Sequence, residues 1–407
     1  MVESGDSASL IAITGSGSIS PFGYSPGQVW QSYLKRETFL RPELFNGEKT
    51  VVAKLSKPAE DIVSAIRLEE AIHKHLDKTV LMAMHCARDA VGLAGWKASD
   101  GKSTGVNVGS SRGATALLEE LHLSYLEDPS RRLFPLTSPI TTLGNISSSV
   151  AHDIGTGGPE ISHSVTCSTA LHAVFNGIAW MKAGFADRFI VGGAEAPLTG
   201  FTIAQMKSLR IYTADADAEY PCRPCSAEEP PKSTMALGEG AALFALEKFT
   251  KEELKDRAAS VLGVIESFGY GLESAATETS ITEEGKALKD AMTMALKGMA
   301  SDAPVDLVIL HAPGTVKGDR SELNAVRSVF GSHLPIMASN KWFVGHTFGA
   351  SAALSIEYAL KILEHDDFVD FPYDVTFQNR RRPIRKVMVN AAGFGGNAAS
   401  IVLSKPI

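Results

Sequence analysis

Cys167 stands where a β-branched run gives way to a helical run, in the segment VTCSTALHAV at 165–174. Ser168 and Thr169 are residue types that commonly begin a helix. A thiol at a helix start faces unpaired backbone N–H groups and the positive end of the helix. Both lower the pKa of the thiol and so favour the thiolate. The alternative is a small buried hydrophobic side chain, the ordinary role of a free cysteine. Cys167 is therefore a candidate nucleophile.

Two histidines and a lysine occupy further positions suited to chemistry. His311 opens the segment HAPGT at 311–315, directly after an apolar run, and ligands usually bind where parallel strands end. His346 lies in NKWFVGHTFGAS at 340–351, where two glycines permit close backbone approach, and Lys341 is five residues upstream. Each has an ordinary alternative, because the backbone of a Pro-Gly turn could satisfy His311 and Lys341 could be a solvated surface lysine.

A glycine-rich turn, GFGG at 393–396, follows a predicted strand at 387–392. Three glycines around Phe394 expose backbone N–H groups, and such groups can donate to an oxyanion. Turns of this composition are also common without any catalytic role. The segment LGEGAALFALE at 237–247 instead indicates a turn into a central strand.

Cys222 and Cys225 form one C-x-x-C pattern in the polar segment 214–233, which we predict to be a long surface loop. A structural zinc site needs four ligands, and the sequence has neither a second cysteine pair nor a histidine doublet nearby. A redox pair is expected at a strand-to-helix turn rather than in a polar loop. We therefore predict no metal site and no redox cofactor.

The elements that carry these residues alternate between β-branched and Ala-rich runs, which predicts an α/β fold. Their order repeats along the chain, although the residues themselves do not. The first half is predicted as strand 9–14, helix 76–93, strand 105–109, strand 160–165, helix 168–183 and strand 188–193. The second half is predicted as strand 259–267, helix 282–299, strand 305–311, strand 334–339, helix 349–363 and strand 386–390. Cys167 and His346 precede equivalent helices, so the active centre should lie where the two halves meet.

Composition excludes several classes of protein. The 407 residues are 44% hydrophobic and carry a net charge of -7, so the chain is expected to fold and lacks the basic excess of a nucleic-acid-binding surface. Its apolar runs are too short for a membrane span, and the first of them lacks the basic flank of an export signal. Four cysteines cannot form a disulfide framework. We expect a cytoplasmic protein with no nucleic-acid or membrane partner.

Taken together, five motifs in one order resemble the β-ketoacyl-acyl-carrier-protein synthases of the two-histidine class: Cys167, His311, Lys341, His346 and GFGG. The resemblance covers nearly the whole chain, from IAITGSGSISPFG at 11–23 to VNAAGFGGNAASIVL at 389–403. It implies a thiolase-type fold with two βαβαβαββ halves in a five-layer α/β sandwich, usually dimeric. The half at 1–250 would carry the cysteine, and the half at 251–407 would carry the histidines.

The resemblance also implies a reaction. Cys167 would take an acyl group from the phosphopantetheine thioester of an acyl carrier protein. His311 and His346 would donate hydrogen bonds to the thioester carbonyl of malonyl-carrier protein as CO2 leaves, with Lys341 setting the electrostatics around them. Backbone N–H groups of Cys167 and Phe394 would hold the oxyanion. Further oxyanion- or substrate-binding positions are implied at Gly393, Gly395, Thr315 and Arg112, and no metal or redox cofactor is implied.

Three departures from the family pattern concern chain length and the partner surface. Arg112, in GSSRGA at 109–114, stands where relatives with long acyl pockets carry a small or aliphatic residue. A buried guanidinium must be paired, so we predict an acyl cavity that is short, blocked near Arg112, or continued by another subunit. The alternative is that Arg112 points out of the channel. Ser355 stands where the family usually has Glu, and the segment 225–236 replaces an acidic and aromatic pattern.

Other functions of the same fold remain as alternatives. A degradative thiolase uses a second cysteine near the C-terminus, and no cysteine follows Cys225. The initiating synthases that use coenzyme A carry Asn where His346 stands. A degenerate chain-length partner subunit of a heterodimeric synthase has lost its cysteine, whereas Cys167 is present. Homodimer and heterodimer, acyl chain length, and fatty-acid or specialised polyketide and polyene synthesis all stay open, with GHTFGAS favouring the specialised pathway.

Overall fold

The computed structural model describes residues 9–143, 145–274, 281–300 and 303–406. The strands found in these residues are β1 Leu10–Ile19, β2 Arg41–Phe45, β3 Glu48–Ala53, β4 Thr104–Gly109, β5 Glu160–Ile161, β6 Arg188–Glu195, β7 Leu237–Gly238, β8 Gly240–Phe249, β9 Gly263–Leu272, β10 Leu307–Ile309, β11 Ile336–Ala338, β12 Lys386–Gly393 and β13 Asn397–Ser404. The helices are α1 Pro26–Leu34, α2 Lys57–Glu69, α3 Lys78–Ala94, α4 Thr115–Glu127, α5 Thr137–Thr141, α6 Asn145–Asp153, α7 Thr169–Lys182, α8 Gly200–Ser208, α9 Lys251–Asp256, α10 Lys286–Lys297, α11 Val316–Phe330, α12 Lys341–Val344 and α13 Ser351–His365.

The large sheet consists of two matching halves. Its strand order is β11-β10-β12-β13-β9-β1-β8-β6-β4-β5, so β9 and β1 meet in the middle. Outward from the middle, β8, β6, β4 and β5 on one side correspond to β13, β12, β10 and β11 on the other. The strand directions correspond as well, since β6 and β12 each pair antiparallel with the inner neighbour and parallel with the outer one. The predicted repeat of elements is confirmed.

Five layers follow from the way the helices pack. Helices α7 and α13 contact each other and lie against strands of both halves, so they form the middle layer. Helix α3 covers β1 and β8, and α10 covers β9 and β13. A helix enclosed between the two halves of the sheet has no solvent-facing stripe. This explains why α13 is buried over most of its length. This architecture is the thiolase-like α/β fold that the sequence predicts.

Strand β1 continues five residues beyond the predicted strand 9–14. The continuation, GSGSI, lacks the apolar alternation that marks a strand, but its glycines bring a helix close. A β-carbon on Gly15 would lie 2.0 Å from the carbonyl oxygen of Ala90, and one on Gly17 would lie 2.2 Å from that of Cys86. Helix α3 therefore rests directly on the backbone of β1.

Other predicted boundaries are shifted by tertiary contacts. Strand β5 covers only two residues because the chain leaves the sheet at 162 to form the turn that contains Cys167. Helix α10 begins at Lys286 rather than at 282, after Gly285 in the left-handed region at φ 62°. Helix α13 begins at Ser351 rather than at 349, after a short 3₁₀ turn.

The loop at 214–233 is less superficial than we predicted. Both of its cysteines are buried and carry free thiols. The backbone N–H of Cys225 donates to Asp319 Oδ2 at 2.8 Å, so the loop is fixed against the start of α11. Polar composition indicated a surface loop, but these contacts with the second half bury its middle.

The described residues contain neither a membrane-spanning helix nor a metal-binding cluster of side chains. None of the helices there is both long and apolar enough to cross a membrane. No three His, Cys, Asp or Glu side chains in that part of the chain are grouped so that they could hold a metal ion.

Candidate active site

Cys167 lies at the apex of a sharp turn between β5 and α7. Thr166, just before it, has φ 48°, in the left-handed region that a β-branched residue rarely adopts. The turn is closed by Thr169, whose Oγ1 accepts a hydrogen bond from the Val165 N–H at 2.9 Å. Backbone strain held in this way is a common feature of functional turns. It presents Cys167 at the N-terminus of α7, as the sequence predicted.

The electrostatic part of that prediction is wrong for the resting protein. Burial, together with the charge of the nearby Glu195 carboxylate, raises the pKa of the Cys167 thiol to about 12. The positive charges of Lys341 and Arg112 oppose this rise in pKa but do not cancel it. Removing the thiol from water disfavours the charged thiolate, so Cys167 is a neutral thiol in this structure.

His311 follows β10 and is held by an acidic side chain that the sequence analysis did not single out. Glu322, on α11, accepts hydrogen bonds from the backbone N–H of His311 at 2.9 Å and of Ala312 at 2.6 Å. Asn390 on β12 donates to the same carboxylate at 3.0 Å. Glu322 therefore fixes the position of the His311 backbone and leaves the imidazole free for a ligand.

The backbone of His346 is fixed by hydrogen bonds to β7 and to the residue before it. Its backbone N–H donates to the Ala236 carbonyl at 2.7 Å, and its carbonyl accepts from Gly238 at 3.2 Å. Its ring lies 5.3 Å from that of His311, centroid to centroid, at an interplanar angle of 85°. Within the described residues, Nδ1 of His346 is buried and has no hydrogen-bond partner. A buried polar atom without a partner is rare in proteins and is a candidate contact for a ligand.

Both imidazoles are neutral at physiological pH. Burial and the positive charge of Lys341 lower the pKa of His346 to about 3. The same two causes, with a contribution from His346, lower the pKa of His311 well below its usual value. A neutral imidazole keeps one N–H donor and one acceptor nitrogen, so each ring can donate a single hydrogen bond to a carbonyl.

Lys341 is a buried residue, and the surface alternative is wrong. Its side chain is 1% exposed, and Nζ lies 3.4 Å from the carbonyl oxygen of Leu310, the residue before His311. Burial lowers the pKa of Lys341 to about 8, while the charge of Glu322 works in the opposite direction. The Lys341 ammonium therefore lies beside the backbone that leads into His311. The charge of Glu322 offsets only part of the cost of burying it.

Cys167 separates two cavities. The first, which we call the histidine cavity, has a volume of about 480 Å³ and is lined by Cys167, His311, His346, Thr315, Gly393 and Phe394. The second, which we call the arginine cavity, has a volume of about 470 Å³ and is lined by Cys167, Arg112, Glu119, Thr166, Phe348 and Phe394. The structure thus brings together most of the residues singled out in the sequence. Gly395 is exposed and lines neither cavity.

The GFGG turn lies directly against the turn that contains Cys167. A β-carbon on Gly393 would lie 2.0 Å from Thr166 Oγ1 and 3.1 Å from the backbone nitrogen of Cys167. Thr166 Oγ1 donates to the carbonyl of Phe394 at 3.2 Å, and Asn397 Nδ2 donates to the same carbonyl at 2.8 Å. Only glycine permits this approach, so the residue type at 393 follows from the position of Cys167.

Glu195 is a second buried carboxylate that the sequence analysis missed. It accepts hydrogen bonds from the backbone N–H groups of Ser111 and Arg112, both at 3.1 Å, and from that of Gly349 at 3.0 Å. It also accepts from the Ser110 and Ser111 hydroxyls. The carboxylate links the segment of Arg112 to the loop after His346. In the sequence, Glu195 could have been noticed as an acidic residue at the end of the apolar run RFIVGGAE.

Comparison with solved structures identifies the class of fold. The ishigamide ketosynthase/chain length factor superposes with a TM-score of 0.83 at 22% identity, over 98% of this chain and 99% of that chain. The shared architecture is the thiolase-like fold of ketosynthases.

Comparison of sequences identifies the family. Residues 8–252 match the N-terminal domain of beta-ketoacyl synthase and residues 262–371 match its C-terminal domain. The 3-oxoacyl-[acyl-carrier-protein] synthase 2 of Staphylococcus aureus strain N315 is 26% identical over 414 residues, 97% of this chain and 98% of that protein. The actinorhodin polyketide putative beta-ketoacyl synthase 1 of Streptomyces coelicolor is 27% identical over 429 residues, 97% of this chain and 88% of that protein. The chain belongs to the beta-ketoacyl synthase family of acyl-transferring condensing enzymes.

Proposed function

We propose that this chain is a β-ketoacyl-acyl-carrier-protein synthase that extends an acyl group on Cys167 by decarboxylative Claisen condensation with a malonyl thioester. The observation that carries the proposal is the shared wall between the two cavities. One thiol faces two neutral imidazoles on one side and a separate cavity on the other. This arrangement provides a place for the stored acyl chain and another for the incoming malonyl group.

The first half-reaction transfers the acyl group. The Cys167 sulfur forms a bond to the acyl carbon, and the bond from that carbon to the pantetheine sulfur breaks. Because the thiol is protonated at rest, its proton must leave during the attack and ends on the departing pantetheine sulfur. His311 and His346 line the same cavity as Cys167, and a neutral imidazole nitrogen can carry this proton.

The second half-reaction forms the new carbon–carbon bond. The bond between the malonyl α-carbon and its carboxylate breaks, CO2 leaves, and the electron pair remains as an enolate. The N–H groups of His311 and His346 donate to the enolate oxygen, and the Lys341 ammonium stabilises its charge from behind. The α-carbon attacks the acyl carbonyl, the Cys167 sulfur leaves as the thiolate and takes up a proton from solvent water, and the 3-oxoacyl chain stays on the carrier. Backbone N–H groups of Cys167 and Phe394 would hold the intermediate oxyanion.

Partners and setting belong to the same proposal. The name of the Staphylococcus relative includes an acyl carrier protein, and that of the ishigamide protein includes a chain length factor. We infer an acyl carrier protein as partner and a dimer with a second ketosynthase-like subunit, either a copy of this chain or a related one. We also infer two halves, 1–250 and 251–407, acting together in the cytoplasm. Fatty-acid and polyketide synthesis both remain open, because the relatives include both.

A non-catalytic chain-length subunit is the alternative function. The solved ketosynthase/chain length factor has the same fold, so the fold alone does not separate the two. The presence of Cys167 between two cavities favours the catalytic role, because a subunit without catalysis needs neither a nucleophile nor paired neutral imidazoles beside it.

Acylation of Cys167 tests the proposed function. The full chain would be incubated with an acyl-carrier protein, digested and analysed by mass spectrometry. We expect one acyl adduct, on the peptide that contains Cys167, and none in Cys167→Ser. Cys86→Ser is the matched control, because Cys86 is fully buried under β8 and should leave the labelling unchanged. Label on Cys86, Cys222 or Cys225 in place of Cys167 would contradict the proposal.

A further inference from the structure

The arginine cavity has an unusual charge for a cavity that would hold an acyl chain. Its wall includes the Arg112 guanidinium, and among the described residues no carboxylate lies within ion-pair distance of that side chain. The side chain makes one hydrogen bond in that part of the structure, from Nη1 to Gln205 Oε1 at 2.9 Å. A guanidinium has five N–H donors, so most of them remain available to a ligand.

The guanidinium is held in place rather than free to turn away. Its central carbon lies 5.2 Å from the centroid of the Phe348 ring, a cation–π arrangement. Its backbone N–H is bound by the buried Glu195 carboxylate at 3.1 Å. Gln205 fixes one edge of the guanidinium plane, so the remaining donors have a defined direction. The alternative, that Arg112 points out of the channel, does not fit these contacts.

The rest of the cavity is divided between polar and apolar side chains. Ser111, Thr115 and Glu119 lie near Arg112 in the wall, and Glu119 accepts a hydrogen bond from Thr199 at 2.7 Å. Leu118 and Phe201 provide apolar surface in the same wall. A saturated chain would fit the apolar part, but it would displace water from the guanidinium N–H groups that Gln205 does not bind and would offer them no acceptor, which is costly. A chain that carries oxygen would satisfy both parts.

We propose that Arg112 is a specificity-determining residue and that the acyl chain stored on Cys167 carries a carbonyl or carboxylate oxygen that binds the Arg112 guanidinium. The proposal deepens the proposed function and rests on it, because it assumes that Cys167 is acylated. Keto and carboxylate oxygens share the chemistry that the guanidinium recognises. They differ in charge and in their distance from the thioester, so an experiment can separate them.

The test uses eight-carbon acyl-pantetheine thioesters of matched length. The set comprises octanoyl, the octanoyl chains with a ketone at carbon 3, 5 or 7, and the octanedioyl monothioester with its terminal carboxylate. The kcat/KM of Cys167 acylation is measured for the full-length protein and for Arg112→Met and Arg112→Lys. Arg132→Met is the matched control, because Arg132 is an exposed arginine that lines neither cavity.

We expect at least one oxygenated chain to be preferred over octanoyl by about tenfold or more, the value of one charged hydrogen bond. Arg112→Met should remove this preference, Arg112→Lys should keep part of it, and Arg132→Met should keep all of it. A preference for the carboxylate identifies an acidic chain as the substrate, and a preference for one ketone position identifies a keto chain.

Equal rates for octanoyl and every oxygenated chain, or a preference that survives in Arg112→Met, would overturn the proposal. These outcomes are distinct from failure of the proposed function, in which no thioester of the set acylates Cys167. Far-ultraviolet circular dichroism and denaturant unfolding of Arg112→Met are measured in parallel. Curves that match those of the unsubstituted protein show that the variant is folded.

Discussion

At the scale of residues, the charges of the site are set by burial more than by neighbouring groups. Desolvation keeps the Cys167 thiol protonated, both imidazoles neutral and the Lys341 ammonium close to titration. Decarboxylation does not need a strong base, because the leaving CO2 generates the enolate. Neutral N–H donors beside one cation suit that step, since they stabilise the enolate by hydrogen bonds without transferring a proton to it.

His311 and His346 should therefore serve decarboxylation more than acyl loading. Replacing either with Ala should slow CO2 release from malonyl-carrier protein by about a hundredfold or more, the effect of losing one positioned donor. Acylation of Cys167 should stay detectable, because Cys167 and its turn are unchanged and the remaining imidazole can still carry the thiol proton. Radiolabelled CO2 release and mass spectrometry of the acyl adduct measure the two half-reactions separately. Equal loss of both would contradict this division of labour.

Lys341 should give the pH dependence of decarboxylation. Its pKa of about 8 means that the ammonium loses its charge as the pH rises through that value, so the decarboxylation rate should fall above about pH 8. Lys341→Met should be slow and should lack this step in its pH profile, whereas Lys297→Met, at an exposed position on α10, should keep it. A pH profile of Lys341→Met identical to that of the unsubstituted protein would contradict the role of Lys341.

Lys341 should also make the stability of the protein depend on pH. Its contribution to stability should rise with pH, whereas the decarboxylation rate should fall. In the unfolded chain Lys341 has its ordinary pKa of 10.5, above the folded value of about 8. Between these two values the unfolded state binds more protons, so the contribution of Lys341 to the free energy of unfolding rises with pH. Denaturant unfolding of the protein and of Lys341→Met from pH 7 to pH 10 measures the difference. The destabilisation from Lys341 should be greatest below about pH 8.

At the scale of elements, two buried carboxylates hold the loops on which the site depends. Glu322 binds the backbone that follows β10, and Glu195 joins the segment of Arg112 to the loop after His346. Each carboxylate satisfies several backbone N–H groups that would otherwise be buried without partners. These loops are therefore held through their backbone and not through the imidazoles of His311 and His346.

The contact between α3 and β1 gives a prediction for packing. Gly15→Ala would place a methyl group 2.0 Å from the Ala90 carbonyl oxygen, so the helix must shift. We expect a loss of about 1–3 kcal/mol in the free energy of unfolding, the usual effect of overpacking. Gly157→Ala is the matched control, since no atom lies within 4 Å of the added methyl group and its stability should hardly change. Urea unfolding of both variants makes the comparison.

At the scale of the whole molecule, an exposed apolar surface points to a second subunit. Leu123 and Leu126 on α4 are 60% and 58% exposed, and Phe201 at the start of α8 is 61% exposed. Leu118, on the same helix as the two leucines, is exposed and lines the arginine cavity. Soluble monomers rarely expose several large apolar side chains on one helix. A ketosynthase-like partner that covers α4 would also close the mouth of the arginine cavity.

We expect the purified protein to have twice the mass of the chain. The double variant Leu123→Glu and Leu126→Glu should shift it to the monomer, because it places charges in the interface. Leu68→Glu, at an exposed position on α2, should leave the mass unchanged. Light scattering after size exclusion measures the masses. A monomer before substitution would contradict a homodimer, and co-expression with a related ketosynthase subunit would then test the heterodimer.

The sequence by itself determined the order of the elements and the turns that carry Cys167, His311 and His346. These depend on local patterns, such as β-branched runs, glycine-rich turns and helix starts, which one stretch of chain contains in full. It also determined the two-fold repeat, because equivalent elements recur in the same order. The glycines of β1 and of the GFGG turn were visible, but what packs against them was not.

Only the tertiary structure decided the charges and the surroundings of the site. The pKa of Cys167, the burial of Lys341 and the burial of the C-x-x-C loop depend on segments that are distant in the sequence. Glu195 and Glu322 became visible as positioning groups only when the backbone N–H groups they bind were brought to them. The place of Arg112 in a cavity beside Cys167 has the same cause, because cavities form between elements and no single element contains one.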